Sequence, residues 1–532
     1  METGFHVYDT TLRDGAQQEG LNLSVSDKLA IARQLDGLGV GFIEGGWPGA
    51  NPRDTEFFRR AAKELDLKHA RLAAFGSTRR AGVRAADDPQ VAALRDSGAD
   101  VVTLVAKSHD RHVELALRTT LEENLAMVRD TVAHLTGEGL EVFLDAEHFF
   151  DGYRDNRDYA LEVLRTAAEA GAGVIALCDT NGGMLPAWVA DVVNDVVDST
   201  GARVGIHCHN DTGCAVANTL AAVDAGATHV QGTINGYGER TGNADLIAVV
   251  ANLQLKLGHQ VLPDGLLREA TRTAHAVAEV TNVPPASRQP YVGASAFTHK
   301  AGLHASAIKV DPDLYQHLEP AEVGNDMRLL VSDMAGRASI ELKGRELGYD
   351  LSGDAPGDRA LVTRVTERVK ELEGRGYTFE AADASFELLL IEEVEGTRPA
   401  YFEVESWRVI SETYGQDGVH RETEATVKLH AGGVRYVVTG EGNGPVNALD
   451  QALRTAITQA YPVVAQFELI DYKVRLFDQG HGTDAKTRVL IETSDGEVSW
   501  VTVGVGANVI EASWEALVDG LTFGLRRHLQ QD

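Results

Sequence analysis

The chain has 532 residues, a formal net charge of -30, and apolar and aromatic fractions of 43% and 6% that are ordinary for a globular enzyme. That length exceeds one compact core and implies two or three domains, while the acidic balance argues against a nucleic-acid or anionic-membrane partner, either of which needs clustered Lys and Arg. The three cysteines, Cys178, Cys208 and Cys214, form no CxxC pair, and no basic-then-apolar leader or bilayer-length apolar run occurs, so a soluble cytoplasmic protein without disulfides is expected.

From residue 5 to about 257, strand and helix patterns alternate eight times. Strands are predicted at 5–8, 41–47, 71–76, 101–107, 141–147, 173–178, 203–208 and 229–234. Helices are predicted between them, among others at 27–38, 55–65, 121–135, 159–170, 187–199 and 214–225. Gly39, Gly98, Gly139, Gly171 and Gly226 stand where helices should stop before a new apolar run. Eight strand–helix repeats fit a closed (β/α)8 TIM barrel. An open doubly wound sheet is the alternative, but no Gly-rich phosphate turn follows the first strand.

The polar residues gather where strands hand over to loops: Asp14, Glu44, Lys107, Glu147, Asp179 with Thr180, His207 with His209, and Asn243. In a barrel these handovers share one face, where active sites are built. His207 and His209, two apart on a strand, point to the same side, with Cys208 turned away. Alone, such a pair could be structural. With oxygens from Asp14 and Asn243 it becomes a mixed N/O set suited to Mn²⁺, Zn²⁺, Fe²⁺ or Mg²⁺, with room for a chelating substrate. Asn210 and Asp211 read as supporting or capping residues. Arg13 is either an ordinary ion-pair partner of Asp14 or a cation facing substrate, with Glu44 holding it. Glu147 is placed for proton transfer or for a barrel-mouth ion pair, and Lys107 reads as a rim charge. Thr180 could bind a substrate carboxylate or cap the next helix.

Beyond the barrel, Pro284, Pro285 and Pro290 mark a linker, followed by a cluster running from Ala296 to His304 and by Tyr315. A Gly/Asp/Pro-rich connector lies at 352–358, and this middle segment reads as small helical subdomains. The tail holds an internal repeat: Val438-Thr439-Gly440-Glu441-Gly442-Asn443 before a helical stretch recurs as Thr502-Val503-Gly504-Val505-Gly506-Ala507 before another. Strands are predicted ahead of each copy, at 401–410 and 425–429, then at 467–477 and 488–492. The expected organisation is a TIM barrel over 1–275, helical linker subdomains over 276–384, and an α+β regulatory domain over 385–532. Ligand sensing or dimerisation suits the last part, which carries no catalytic constellation.

The motifs Asp-Thr-Thr-Leu-Arg-Asp-Gly (9–15), His-Cys-His-Asn-Asp (207–211), Gly-Glu-Arg-Thr-Gly-Asn (238–243) and Gly-Leu-His (302–304) resemble the acyl-CoA-condensing metalloenzymes that include 2-isopropylmalate, homocitrate and citramalate synthases. Residues 44–52 and 145–153 look most like a citramalate-forming branch, and the terminal repeat resembles that family's amino-acid-sensing domain. The resemblance implies Asp14, His207, His209 and Asn243 as ligands of a divalent metal, Arg13 facing the oxo-acid oxygen, and Thr180 at the substrate carboxylate, with Glu44 in support. It further implies Glu147 and His304 in proton transfer and Tyr315 near the acyl group. His304 and Tyr315 lie outside the barrel and in this family reach over the partner's barrel, so a homodimer is implied. After this histidine the family's Gln/Ala-Asp/Asn pattern reads Ala305-Ser306 here, so it is departed from at Ser306. The expected chemistry joins acetyl-CoA to a 2-oxo acid, pyruvate first and the larger acid of isopropylmalate synthesis as the alternative, with isoleucine as feedback ligand near the glycine-rich turns 440–443 and 504–507, whose backbone N–H groups could meet its carboxylate. A catalytically silent amino-acid sensor is a third reading.

Overall fold

A computed structural model describes residues 4–300, 302–308, 310–329, 337–349, 351, 356–414, 420–477 and 485–530. The chain divides into two units. The first comprises residues 4–297 with 318–326, and the second comprises 298–317 with the described residues from 327 on.

The first unit is a closed barrel of eight parallel strands in sequential order. They are β1 (His6–Asp9), β2 (Phe42–Gly46), β3 (Arg71–Ser77), β4 (Val101–Lys107), β5 (Glu141–Glu147), β6 (Val174–Asp179), β7 (Val204–Cys208) and β8 (His229–Gly232). β1 closes the ring by pairing with both β2 and β8. The strands predicted at 101–107 and 141–147 match residue for residue, and the others shift by one or two. The helices cover the outside with apolar stripes, and several stop where Gly39 or Gly171 adopts the left-handed region. Helices Pro89–Arg95 and Leu246–Leu255 lack the periodic signal. The first spans only two turns, and in the second nearly every position is apolar and buried, so no face stands out. Among the described residues no helix is long and apolar enough to cross a membrane.

Side-chain alternation layers the barrel interior. Phe42, Val101, Phe143 and Val174 pack together with Tyr8 and Ala73 in a buried inner cluster. Two residues further along the same strands the inward positions turn polar: Glu44, Thr103 and Asp145, with Gln231 following His229 and His207 following Gly205, all buried. The apolar layer lies toward the strand starts and the polar layer toward the strand ends, beneath the loops.

The second unit begins with a short parallel pair, β9 (Thr298–His299) and β10 (Arg328–Leu329), and helices Gly302–Ile308, Arg337–Glu346, Pro356–Gly374 and Asp383–Glu395. Residues 352–355 of the expected connector lie outside the described residues. The boundary expected at 275 falls inside helix Ala270–Thr281, and that at 384 at the start of Asp383–Glu395.

Two antiparallel three-stranded sheets follow: β11 (Phe402–Tyr414), β12 (His420–Ala431) and β13 (Val434–Gly442), then β14 (Glu468–Phe477), β15 (Lys486–Ser494) and β16 (Ser499–Gly506). Each leads into one long helix, Pro445–Thr458 or Val509–Leu529, so the repeat is a duplicated βββα unit. The glycine-rich segments expected as turns are the ends of β13 and β16. A Cβ on Gly440 would meet the Ala452 nitrogen at 2.5 Å, and one on Gly504 the Ala512 oxygen at 2.0 Å, so both glycines let a helix backbone rest on the strand. The nearby N–H groups are already spoken for: Val505 donates to Glu515 and Ala507 to Glu511.

Candidate metal and substrate site at the barrel mouth

Arg13 and Asp14 sit in the turn after β1, and the threonines before them hold that turn. The Thr11 backbone N–H and hydroxyl donate to Asp9, and the Thr11 hydroxyl accepts from Ile234 N–H beyond β8. Burial raises the Asp9 carboxyl to about 7 despite these bonds. Arg13 Nε donates to Glu44 Oε1 at 2.6 Å, and its guanidinium lies 3.9 Å over the Phe75 ring. The other Glu44 oxygen accepts from Tyr8 at 2.8 Å, and Tyr8 also meets Thr103 at 2.6 Å. Both Glu44 oxygens are thus occupied, and Glu44 is fully buried beneath the cavity that Arg13 lines.

That cavity, about 570 Å³, is lined by Arg13, Asp14, Lys107, Asp145, Glu147, Thr180, His207 and His209 among others. Glu147 ends β5 and pairs with Lys107, its register neighbour on β4. Lys107 is therefore committed to Glu147 rather than being a bare rim charge. His148, directly after it, takes the left-handed φ of 56° and donates its N–H to Thr180 Oγ1 at 2.8 Å. The Thr180 oxygen accepts there, which leaves its own hydrogen to donate elsewhere. The helix that follows, Pro186–Thr200, has no side-chain cap, so Thr180 does not cap it. Of the two supporting candidates, Asn210 accepts from Ala215 N–H at the next helix start, and Asp211 pairs with Arg240.

Asp14, His207 and His209 bring donor atoms within 4.8 Å of one another, all buried. Asp14 Oδ2 stands 3.2 Å from His207 Nε2 and 3.8 Å from His209 Nε2. Two donors bound to one ion at roughly 2.1 Å would stand about 3–4 Å apart, so the spacing fits. Asn243 is held beside His209 by a backbone bridge. Its Nδ2 donates to Tyr237 O at 3.0 Å, which leaves buried Oδ1 without a partner, as is buried His209 Nδ1. Gly238, with φ of 146°, permits this approach, since a Cβ there would meet Asn243 Nδ2 at 2.3 Å.

Charge points the same way. Asp14, Glu44 and Asp145 are buried around the half-buried Arg13, so carboxylates outnumber the guanidinium there and favour a divalent cation. Burial acts against ionised Asp14, but Arg13 and His207 outweigh it and hold the carboxyl below its usual range. Burial and then Glu44 raise Asp145 to about 6. Burial also opposes protonation of His207, yet its bond to Asp14 raises it overall, while burial and His207 lower His209 to about 4. The residues present fit a divalent metal.

His304 and Tyr315 belong to the second unit, where their rings stack with centroids 4.1 Å apart. Sequence reasoning left Gln231 and Asp145 without a role. Asp145 stands two before Glu147, and Gln231 two after His229, so strand alternation alone placed both inward.

The HMGL-like family model matches residues 5–277, a homocitrate synthase post-HMGL domain-like model matches 291–376, and a LeuA allosteric (dimerisation) domain model matches 380–525. The (R)-citramalate synthase of Streptomyces coelicolor is 69% identical, covering 99% of this chain and 98% of its own length. That of Synechocystis is 48% identical, covering 99% and 97%. A probable 2-isopropylmalate synthase of Methanopyrus kandleri is 32% identical, covering 98% of each.

The donor set makes one outcome specific. Mn²⁺ should raise the unfolding midpoint of the native chain, by mass action on the folded state, and should leave that of His207→Ala unchanged. An equal rise in both, followed by scanning calorimetry, would remove His207 from the metal site.

Proposed function

The chain belongs to the (R)-citramalate synthase family of HMGL-like acyl-CoA-condensing enzymes, and on that premise we propose that it joins acetyl-CoA to pyruvate and water, giving (R)-citramalate and CoA. The observation that carries this reading is the 45–69% identity to five (R)-citramalate synthases across nearly the whole chain, with Asp14, His207, His209 and Glu147 lining one cavity.

Asp14, His207, His209 and Asn243 would hold the divalent metal. Such an ion supplies Lewis acidity and a chelation point for the keto and carboxylate oxygens of a 2-oxo acid. Thr180, its oxygen occupied by His148 N–H, donates its hydrogen to the substrate carboxylate. Arg13, braced by Glu44 and stacked on Phe75, faces the keto oxygen and stabilises the negative charge that develops there. Glu147 moves the proton from the acetyl methyl group, with Lys107 orienting its carboxylate. The methyl carbon then bonds to the keto carbon, and water cleaves the thioester, releasing CoA as the thiol. His304 and Tyr315 act as a stacked pair on proton transfer and the acyl group.

We assign catalysis to residues 1–275, linkage to 276–384 and regulation to 385–532. The LeuA (dimerisation) match and the exposed apolar side chains of Val474 and Leu476 on β14 support a homodimer. Isoleucine is the proposed feedback ligand, because citramalate leads toward it. Isothermal calorimetry of the full chain should show isoleucine binding and no leucine binding; the reverse would redirect the assignment to isopropylmalate synthesis.

Thiol release from acetyl-CoA across a panel of 2-oxo acids tests the activity itself, with pyruvate giving the highest kcat/KM. A preference for 2-oxoisovalerate would replace this reading with its sister reaction, and no release with any acid would leave a sensor. Glu147→Gln should keep pyruvate binding while cutting turnover on the order of a hundredfold, and should suppress deuterium exchange into the acetyl group. Unchanged turnover with weakened pyruvate binding would make Glu147 a substrate-positioning residue instead.

A further inference from the structure

We propose that Gln231 is a positioning residue for the metal, fixing which ring nitrogen of His207 faces the ion, with Asp145 as its anchor. Gln231 lies on β8, fully buried, and does not line the cavity. Its Oε1 stands 2.9 Å from His207 Nδ1, and its Nε2 donates to Asp145 Oδ1 at 2.8 Å. The second hydrogen on Nε2 faces His229 Nε2 at 3.3 Å. This chain of bonds runs in only one direction. An ionised carboxylate accepts only, so the amide nitrogen must face Asp145 and the amide oxygen must face His207. His207 Nδ1 then carries the hydrogen, and Nε2, on the Asp14 side at 3.2 Å, is the nitrogen left for an ion.

The choice of an amide follows from the charge already buried. Asp14, Glu44 and Asp145 share the site with Arg13, and a carboxylate at 231 would add a fourth negative group directly against Asp145. The amide passes the orientation on from Asp145 without adding charge. Asp145 makes the shorter of the two contacts on Nε2, at 2.8 Å against 3.3 Å for His229, and so contributes most to holding the amide against rotation.

The proposal rests on the metal reading of the site, and Mn²⁺ alone serves as the probe. In calorimetric titration of the metal-free full-length protein, Gln231→Leu should weaken Mn²⁺ binding ten- to a hundredfold. Its metal-free unfolding midpoint should fall, because Asp145 loses a buried donor, whereas saturating Mn²⁺ should restore turnover with KM for acetyl-CoA unchanged. Gln231→Glu keeps an oxygen toward His207 and should bind Mn²⁺ more tightly than Gln231→Leu, though less tightly than the native chain. Native affinity in Gln231→Leu overturns the inference, and so does equal affinity in the two variants, even if Gln231→Leu is destabilised. A native chain that binds no Mn²⁺ overturns the metal reading itself.

Discussion

Uncompensated negative charge in a dry barrel is the constraint on which the rest of this structure depends. Three carboxylates, Asp14, Glu44 and Asp145, lie buried around the half-buried guanidinium of Arg13 at the strand-end face of the barrel. Burying unpaired charge is among the costliest things a fold can do, and each neighbour here is arranged to contain that cost. Arg13 is shared between Glu44 and Asp14, Tyr8 takes the second Glu44 oxygen, and Gln231 takes Asp145. The remaining imbalance favours a divalent cation over a neutral ligand at this site. The apolar layer of Phe42, Val101, Phe143 and Val174 beneath it keeps water from screening the charges from below.

The barrel was legible because most strands predicted themselves twice, once by an apolar run and once by a polar residue at or beyond the strand end. Val101–Lys107 and Glu141–Glu147 are clear in the sequence for that reason. Legibility failed where the period vanished. Leu246–Leu255 is buried on nearly all sides, so only its cap, Asp245, which accepts from Ile247 N–H, distinguished it from a buried strand.

At the site, sequence reasoning identified residues whose chemistry repeats at a diagnostic spacing, such as His207 and His209. It undervalued residues whose role comes from a neighbour on another strand. Gln231 is a lone amide in the sequence, and it acquires a direction only when β8 brings it between His207 on β7 and Asp145 on β5. Lys107 read as a rim charge because nothing in the sequence shows that β4 and β5 pair with Lys107 opposite Glu147. Thr180 carried two readings, and the bond that fixes its orientation comes from His148, on the preceding strand–loop junction. These are long-range pairings, set by register rather than by local composition.

The tail shows the same limit from the other side. Its repeated glycines suggested backbone nests for an anion, since glycine usually signals a turn. Their purpose lies instead in the helix that follows. Gly440 leaves space for Ala452 and Gly504 for Ala512, so each helix backbone lies directly on its own sheet. The Val505 N–H at the end of β16 and the Ala507 N–H just past it are bound by Glu515 and Glu511 from the helix Val509–Leu529 itself, which ties strand end to helix start. The duplication has preserved the packing of helix on sheet in both halves, and it is that packing, rather than a pair of anion-binding turns, that the matching glycines record.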